Sequence, residues 1–155
     1  MGMRRNRLIR FFVVLTAVVL LFSCCTALAA KKNRNRSNES AAALQAAQEL
    51  ADYIFEHGEL PDGFIRKKDA HALGWDSSYN HVSDVAPDMS IGGDYYGNYE
   101  ERLPVVRGRK YYEADCYYRG GRRNAYRIIY SNDGHVWFTE DHYNTFVELF
   151  PSKEE

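Results

Sequence analysis

Apolar positions change their spacing once along this chain. From Ala41 to His57 the residues Leu44, Ala47, Leu50, Ala51, Ile54 and Phe55 recur at helical intervals, which places them on one face of a helix. Ser40 can cap its start and Gly58 can end it. Pro61-Asp62-Gly63 reads as a turn. Lys67 to Leu73 predicts a second short helix stopped by Gly74, and His81 to Val85 a third ended near Pro87. Beyond Met89 the period falls to two. Tyr and Ile alternate with polar residues, which predicts strands near Ser90–Tyr95, Lys110–Tyr117, Ala125–Ser131, His135–Thr139 and Thr145–Leu149. Asn132-Asp133-Gly134 predicts a tight hairpin turn. Helices first and antiparallel strands after predict an α+β fold, with the N-terminal helices packed on one face of a five-stranded antiparallel sheet.

The first forty residues have another texture. Arg4, Arg5, Arg7 and Arg10 precede an apolar run from Phe11 to Phe22, and Ala27-Leu28-Ala29 is a small-residue cleavage pattern. A run of twelve is short for a membrane span, so residues 1–29 read as a secretory signal peptide. The alternative is a lipoprotein signal, Leu21-Phe22-Ser23-Cys24, anchored through Cys24. Residues 30–39 are polar and basic without apolar periodicity, and read as a flexible leader or propeptide. Residues 40–150 form one domain and 151–155 a tail. Cleavage after Ala29 leaves Cys116 as the single cysteine, which excludes an intrachain disulfide.

Charge sharpens this picture. Without the four signal arginines the chain has 16 Lys+Arg against 21 Asp+Glu, a net of −5, the wrong sign for a general nucleic-acid binder. Arg102 to Arg127 nevertheless holds eight basic and two acidic residues, which predicts one basic face. In the strand from Lys110 the residues Tyr111, Glu113, Asp115 and Tyr117 share one side, and Tyr112, Ala114, Cys116 and Tyr118 the other. The side with both charges is expected to be the open one. Arg127 alternates away from Ile128 and Tyr130, so Glu113, Asp115 and Arg127 share a surface if the two strands pair, with Arg123 at its edge. Asp115 is expected to hold Arg123 and Arg127 by charge-assisted hydrogen bonds.

Several separated motifs stand in order: ALGW (Ala72 to Trp75), DVAP (Asp84 to Pro87), SIGGD (Ser90 to Asp94), EAD (Glu113 to Asp115), Arg123-Asn124 with Arg127 to Ser131, and Asp141-His142-Tyr143. Together they resemble the barnase-like, guanyl-preferring bacterial ribonucleases, in an ungapped register from about Leu50 to Phe150. The resemblance implies the microbial ribonuclease fold and cleavage of single-stranded RNA. Glu113 would be the general base toward the 2′-hydroxyl, and His142 the general acid toward the departing 5′-oxygen. Lys67, Arg123 and Arg127 would bind the scissile phosphate. Asn98 would shape a guanine-binding loop in which Glu100 accepts from the base, and Tyr143 would stack on a base. Gly97 and Tyr99 depart from the pattern, where barnase has serine and arginine. His57, His71, His81 and His135 match no catalytic position and show no metal-ligand spacing, so no metal and no cofactor is expected. The resemblance also implies a barstar-like protein inhibitor. A secreted monomer without stable membrane association after signal cleavage is the expectation. The alternative is a non-catalytic RNA- or inhibitor-binding protein on the same fold. A third expectation keeps the chemistry and assigns it to a toxin released against competitors.

Overall fold

A computed structural model describes residues 31–152. The signal-peptide reading, including Cys24, lies outside the described residues. The chain divides into two units between Glu39 and Ser40. In the first, residues 31–39 are helical with every side chain exposed.

In the second unit, residues 40–57 form α1. The order then runs β1 (Phe64–Ile65), α2 (Lys67–Ala72), α3 (Val82–Val85), β2 (Ser90–Tyr96), β3 (Tyr111–Asp115), β4 (Arg127–Ser131), β5 (Val136–Thr139) and β6 (Val147–Leu149). The sheet order is β1-β2-β3-β4-β5-β6. The fold is α+β as expected, but the sheet has six strands instead of five. The extra strand, β1, is two residues long and pairs parallel to β2, whereas every other pairing is antiparallel. Two residues carry too short a pattern to be read as a strand.

Ala43, Ala47, Ala51 and Ile54 of α1 are the buried stripe, packed on Cys116, Ile128, Tyr130, Val136, Phe138 and Leu149. Small residues let the helix lie close on the sheet. Leu44, expected on that face, is 44% exposed. Gly58 ends α1 as expected: its φ is 75° and its N–H donates to the Ile54 carbonyl at 2.8 Å. Ser40 does not cap the helix; its hydroxyl donates to Glu140. Trp75, Val82, Ala86 and Ile91 form a second small core with Ala70. On the sheet face away from α1, Leu103, Tyr111, Ile129 and Trp137 form a third. Each fully buried Ile or Val contributes roughly 1.5–3 kcal/mol relative to exposure.

The alternation in β3 holds as far as Asp115. Glu113 pairs with Ile129 and Asp115 with Arg127, so the three polar residues do share one face. That face is not open, however. Glu113 is 7% exposed, Asp115 2% and Arg127 3%. Asp115 is paired with Arg123 and Arg127, and Glu113 with Lys67. Tyr117 leaves the strand at φ 55° and packs with the α1 core, so it does not continue the row.

Candidate active site

A β-bulge brings the first site residues together. The register of β2 against β3 shifts between Gly92 and Asp94, so Asp94 stands opposite Glu113. Gly93 takes φ 85° in the bulge. A Cβ on Gly92 would lie 2.5 Å from the Phe64 ring and 3.0 Å from Ala114 Cβ, so only glycine allows this approach. The Asp94 carboxylate accepts the backbone N–H of Lys67 at 2.9 Å and holds the start of α2. Lys67 Nζ then reaches Glu113 Oε1. Lys68, its neighbour in sequence, is exposed.

Glu113 is held from its other side by Tyr143, whose hydroxyl donates to Oε2 at 2.6 Å. Burial, with the Glu113 contact second, pushes the Tyr143 phenol above its ordinary range, so it remains a donor. Its ring stacks on Tyr96 with centroids 5.4 Å apart. One face of the ring expected to stack on a base is therefore already covered.

Below Glu113, Asp115 anchors the cations. Arg123 Nε donates to its Oδ2 at 2.7 Å and Nη2 to its Oδ1 at 2.6 Å. Arg127 Nε lies 3.1 Å from Oδ1, although its N–H is not aligned for a hydrogen bond. Arg127 Nη1 donates to the Tyr126 carbonyl at 2.6 Å. Burial is the largest single influence on Arg123 and lowers its pKa, but the Asp115 hydrogen bonds together with the nearby charges of Asp115, Tyr143 and Glu113 outweigh it, and the net shift is upward.

His142 sits in a loop tied down by Asp141. Asp141 accepts from Thr139 Oγ1 at 2.9 Å, Asn144 N at 3.1 Å, Thr145 N at 2.9 Å and Thr145 Oγ1 at 2.8 Å. The Thr145 backbone N–H is the largest cause holding the Asp141 carboxyl below its usual range. These ties keep His142 and Tyr143 at φ 57° and 71°, a conformation costly for residues with a Cβ. His142 is exposed, and its N–H donates to Ala125 O at 3.3 Å. With Arg123 and Arg127 it lines a cleft of about 720 Å³, continued by Trp75, Asn80 and Arg122. The arrangement is suited to proton transfer across an anion: a carboxylate held between two donors, an exposed imidazole, and two fixed guanidiniums. Among the described residues no cluster of His, Cys, Asp and Glu could hold a metal ion.

Asn98 and Glu100 stand in a separate loop. Asn98 takes φ 45° and clamps it, donating to Leu103 O at 2.9 Å and accepting Leu103 N–H at 3.0 Å. The Tyr99 ring lies over Gly97, where a Cβ would meet it at 2.2 Å. Glu100 points to solvent, with its Oε2 accepting Arg102 Nε at 2.6 Å.

The structure thus brings Lys67, Glu113, Arg123, Arg127, His142 and Tyr143 to one region. Sequence reasoning missed Asp94, Tyr96, Asp141 and Arg102 as site residues. Asp94 and Asp141 were visible as motif letters. Their roles depend on the bulge and on a five-residue turn, which no spacing rule announces.

The described residues contain no helix long and apolar enough to cross a membrane. A ribonuclease of Heyndrickxia coagulans is 44% identical over 108 residues, covering 70% of this chain and 99% of that protein. A ribonuclease of Bacillus intermedius is also 44% identical over 108 residues, covering 70% of this chain and 67% of its own. The solved structure of ribonuclease Sa2 with guanosine-2′-cyclophosphate covers 62% of this chain and 92% of that one, at 24% identity and TM-score 0.34, too distant to bear on the site. The ribonuclease family model matches residues 29–149, so the chain belongs to the ribonuclease family, among its barnase-like microbial members.

Proposed function

We propose that this protein is a secreted endoribonuclease that cleaves single-stranded RNA by transphosphorylation, with its own side chains supplying every proton transfer. The observation that carries the reading is the link between Glu113 and the loop of His142. Tyr143 touches Glu113, its sequence neighbour is His142, and Arg123 and Arg127 line the cleft beside them. Glu113 takes the proton of the 2′-hydroxyl, which attacks the adjacent phosphorus. His142 gives a proton to the departing 5′-oxygen. The products are a 2′,3′-cyclic phosphate and a free 5′-hydroxyl, and water later opens the ring with the two roles exchanged. Lys67, Arg123 and Arg127 stabilise the charge that builds on the phosphoryl oxygens. DNA lacks the nucleophile and is not cut.

Glu100 and Asn98 form the base site. A carboxylate can accept both the ring N–H and the amino group of guanine, and no other base offers that donor pair. Guanosine on the 5′ side of the cut is therefore preferred. Residues 1–29 serve as the secretory signal and 30–39 as a leader, and the mature protein is a monomer. A barstar-like inhibitor would meet the cationic cleft with acidic groups. Retention of both Glu113 and His142 weighs against a non-catalytic binder.

The test is incubation of the purified protein with short RNAs in EDTA, with analysis of the cut ends. Cleavage to 2′,3′-cyclic ends is expected. Activity that stops in EDTA and returns with added metal would overturn the mechanism.

A further inference from the structure

Arg102 joins two loops that otherwise carry different tasks. Its Nε donates to Glu100 Oε2 at 2.6 Å, and its Nη1 donates to the backbone carbonyl of Asn144 at 2.7 Å. Glu100 belongs to the base loop. Asn144 belongs to the turn that presents His142, and is fixed within it. Its backbone N–H bonds Asp141 Oδ1 at 3.1 Å, and its Nδ2 bonds the Asp141 carbonyl at 2.6 Å. A pull on the Asn144 carbonyl is therefore a pull on the whole turn. That turn holds His142 and Tyr143 in left-handed backbone, so its geometry depends on such ties.

We propose that Arg102 is a positioning and specificity-determining residue: it couples occupation of the base site at Glu100 to the placement of His142. The proposal rests on the reading of Glu100 as the guanine acceptor. Glu100 Oε2 is engaged by Arg102, and an ionised carboxylate has about four acceptor positions in all. Guanine can thus bind without displacing Arg102. In the free protein the pair is wet: the Glu100 side chain is 70% exposed and that of Arg102 39%. A base seated on Glu100 excludes water from the pair, and the attraction between the two charges rises as the local dielectric falls. The bridge tightens, and the turn carrying the acid tightens with it. A base that cannot satisfy Glu100 leaves the bridge loose. Discrimination then appears in kcat as well as in binding. Only a guanidinium suits this task, because its rigid fork points Nε and Nη1 at two partners at once.

The experiment measures kcat and KM of the full-length protein on GpN and ApN dinucleotides. Wild type is compared with Arg102→Ala, Arg102→Lys, Glu100→Ala and the double variant Glu100→Ala/Arg102→Ala. For Arg102→Ala we expect kcat on GpN to fall roughly three- to tenfold, a partly exposed bridge being a modest coupling. The rate on ApN should fall less, so that the ratio of GpN to ApN cleavage drops. Arg102→Lys should behave like the alanine variant, and the double variant should be no worse than Glu100→Ala. Equal losses on both dinucleotides would make Arg102 a general phosphate cation and overturn the proposal. Full activity in Arg102→Lys would do the same, by showing that charge alone suffices. A guanine preference abolished by Glu100→Ala but intact in Arg102→Ala overturns the coupling and leaves the base reading standing. A preference absent in wild type, or surviving Glu100→Ala, overturns both.

Discussion

Replacing Asp115 with asparagine removes the charge on which the cationic half of the site is built. Asp115 is 2% exposed and faces two guanidiniums, Arg123 through two hydrogen bonds of 2.7 and 2.6 Å and Arg127 at 3.1 Å. Asparagine keeps the shape but offers one acceptor oxygen and no charge. The Arg127 side chain, 3% exposed, would then hold a buried cation without its counter-ion. Breaking a buried pair from one side typically costs about 3–5 kcal/mol. The Arg123 side chain is 23% exposed and can turn to water, so it adds little to that figure. For a domain of this size the loss corresponds to a fall in Tm of roughly 10–25 °C. Urea unfolding followed by fluorescence measures it, with the slope checked so that a change in midpoint reports stability. The loss should persist at high salt, because buried pairs are weakly screened. Activity should fall as well, since both cations proposed to bind the phosphate lose their orientation. A loss below about 1 kcal/mol, or one that salt removes, would refute the account of Asp115 as the buried counter-ion.

His142→Ala and Glu113→Ala should each lower kcat/KM by roughly 10²- to 10⁴-fold while the domain stays folded by circular dichroism; a folded variant near wild-type activity would remove that residue from its role. Asp141 has a depressed carboxyl pKa in the folded state, so its contribution is present above the ordinary carboxylate range and is lost as pH falls through the lowered value. Asp141→Asn should therefore reduce stability at pH 7 and flatten the acid limb of the stability curve; an unchanged acid limb would contradict the ties drawn around Asp141. Burial pushes the Cys116 thiol up to about 12, so a thiol reagent at pH 8 should label it only through unfolding. Labelling as fast in native protein as in urea would show that the site is open.

The helix-to-strand change, the C-terminal end of α1 at Gly58 and the turn at Asn132-Asp133-Gly134 were legible because periodicity and turn chemistry are local. The paired faces of β3 and β4 followed from the same alternation, and Glu113, Asp115 and Arg127 do meet. What alternation cannot report is what covers a face. Two charged residues on a strand suggest solvent, yet here they are buried because Lys67 neutralises Glu113, two guanidiniums neutralise Asp115, and a phenol 30 positions away donates to Glu113. Likewise the helical spacing of α1 suited Leu44 as well as Ala43, and only the close approach to the sheet selected the smaller residue. The partners of the candidate site are the clearest case. Asp94 reaches Lys67 because a bulge re-aims it, and Arg102 reaches Asn144 across 42 positions of chain. The residue types of the chemistry were present in the one-dimensional pattern. Their mutual distances and burial, and so the burial-driven shift of Tyr143 above its ordinary range, came from tertiary packing, since these are properties of neighbours in space rather than in sequence.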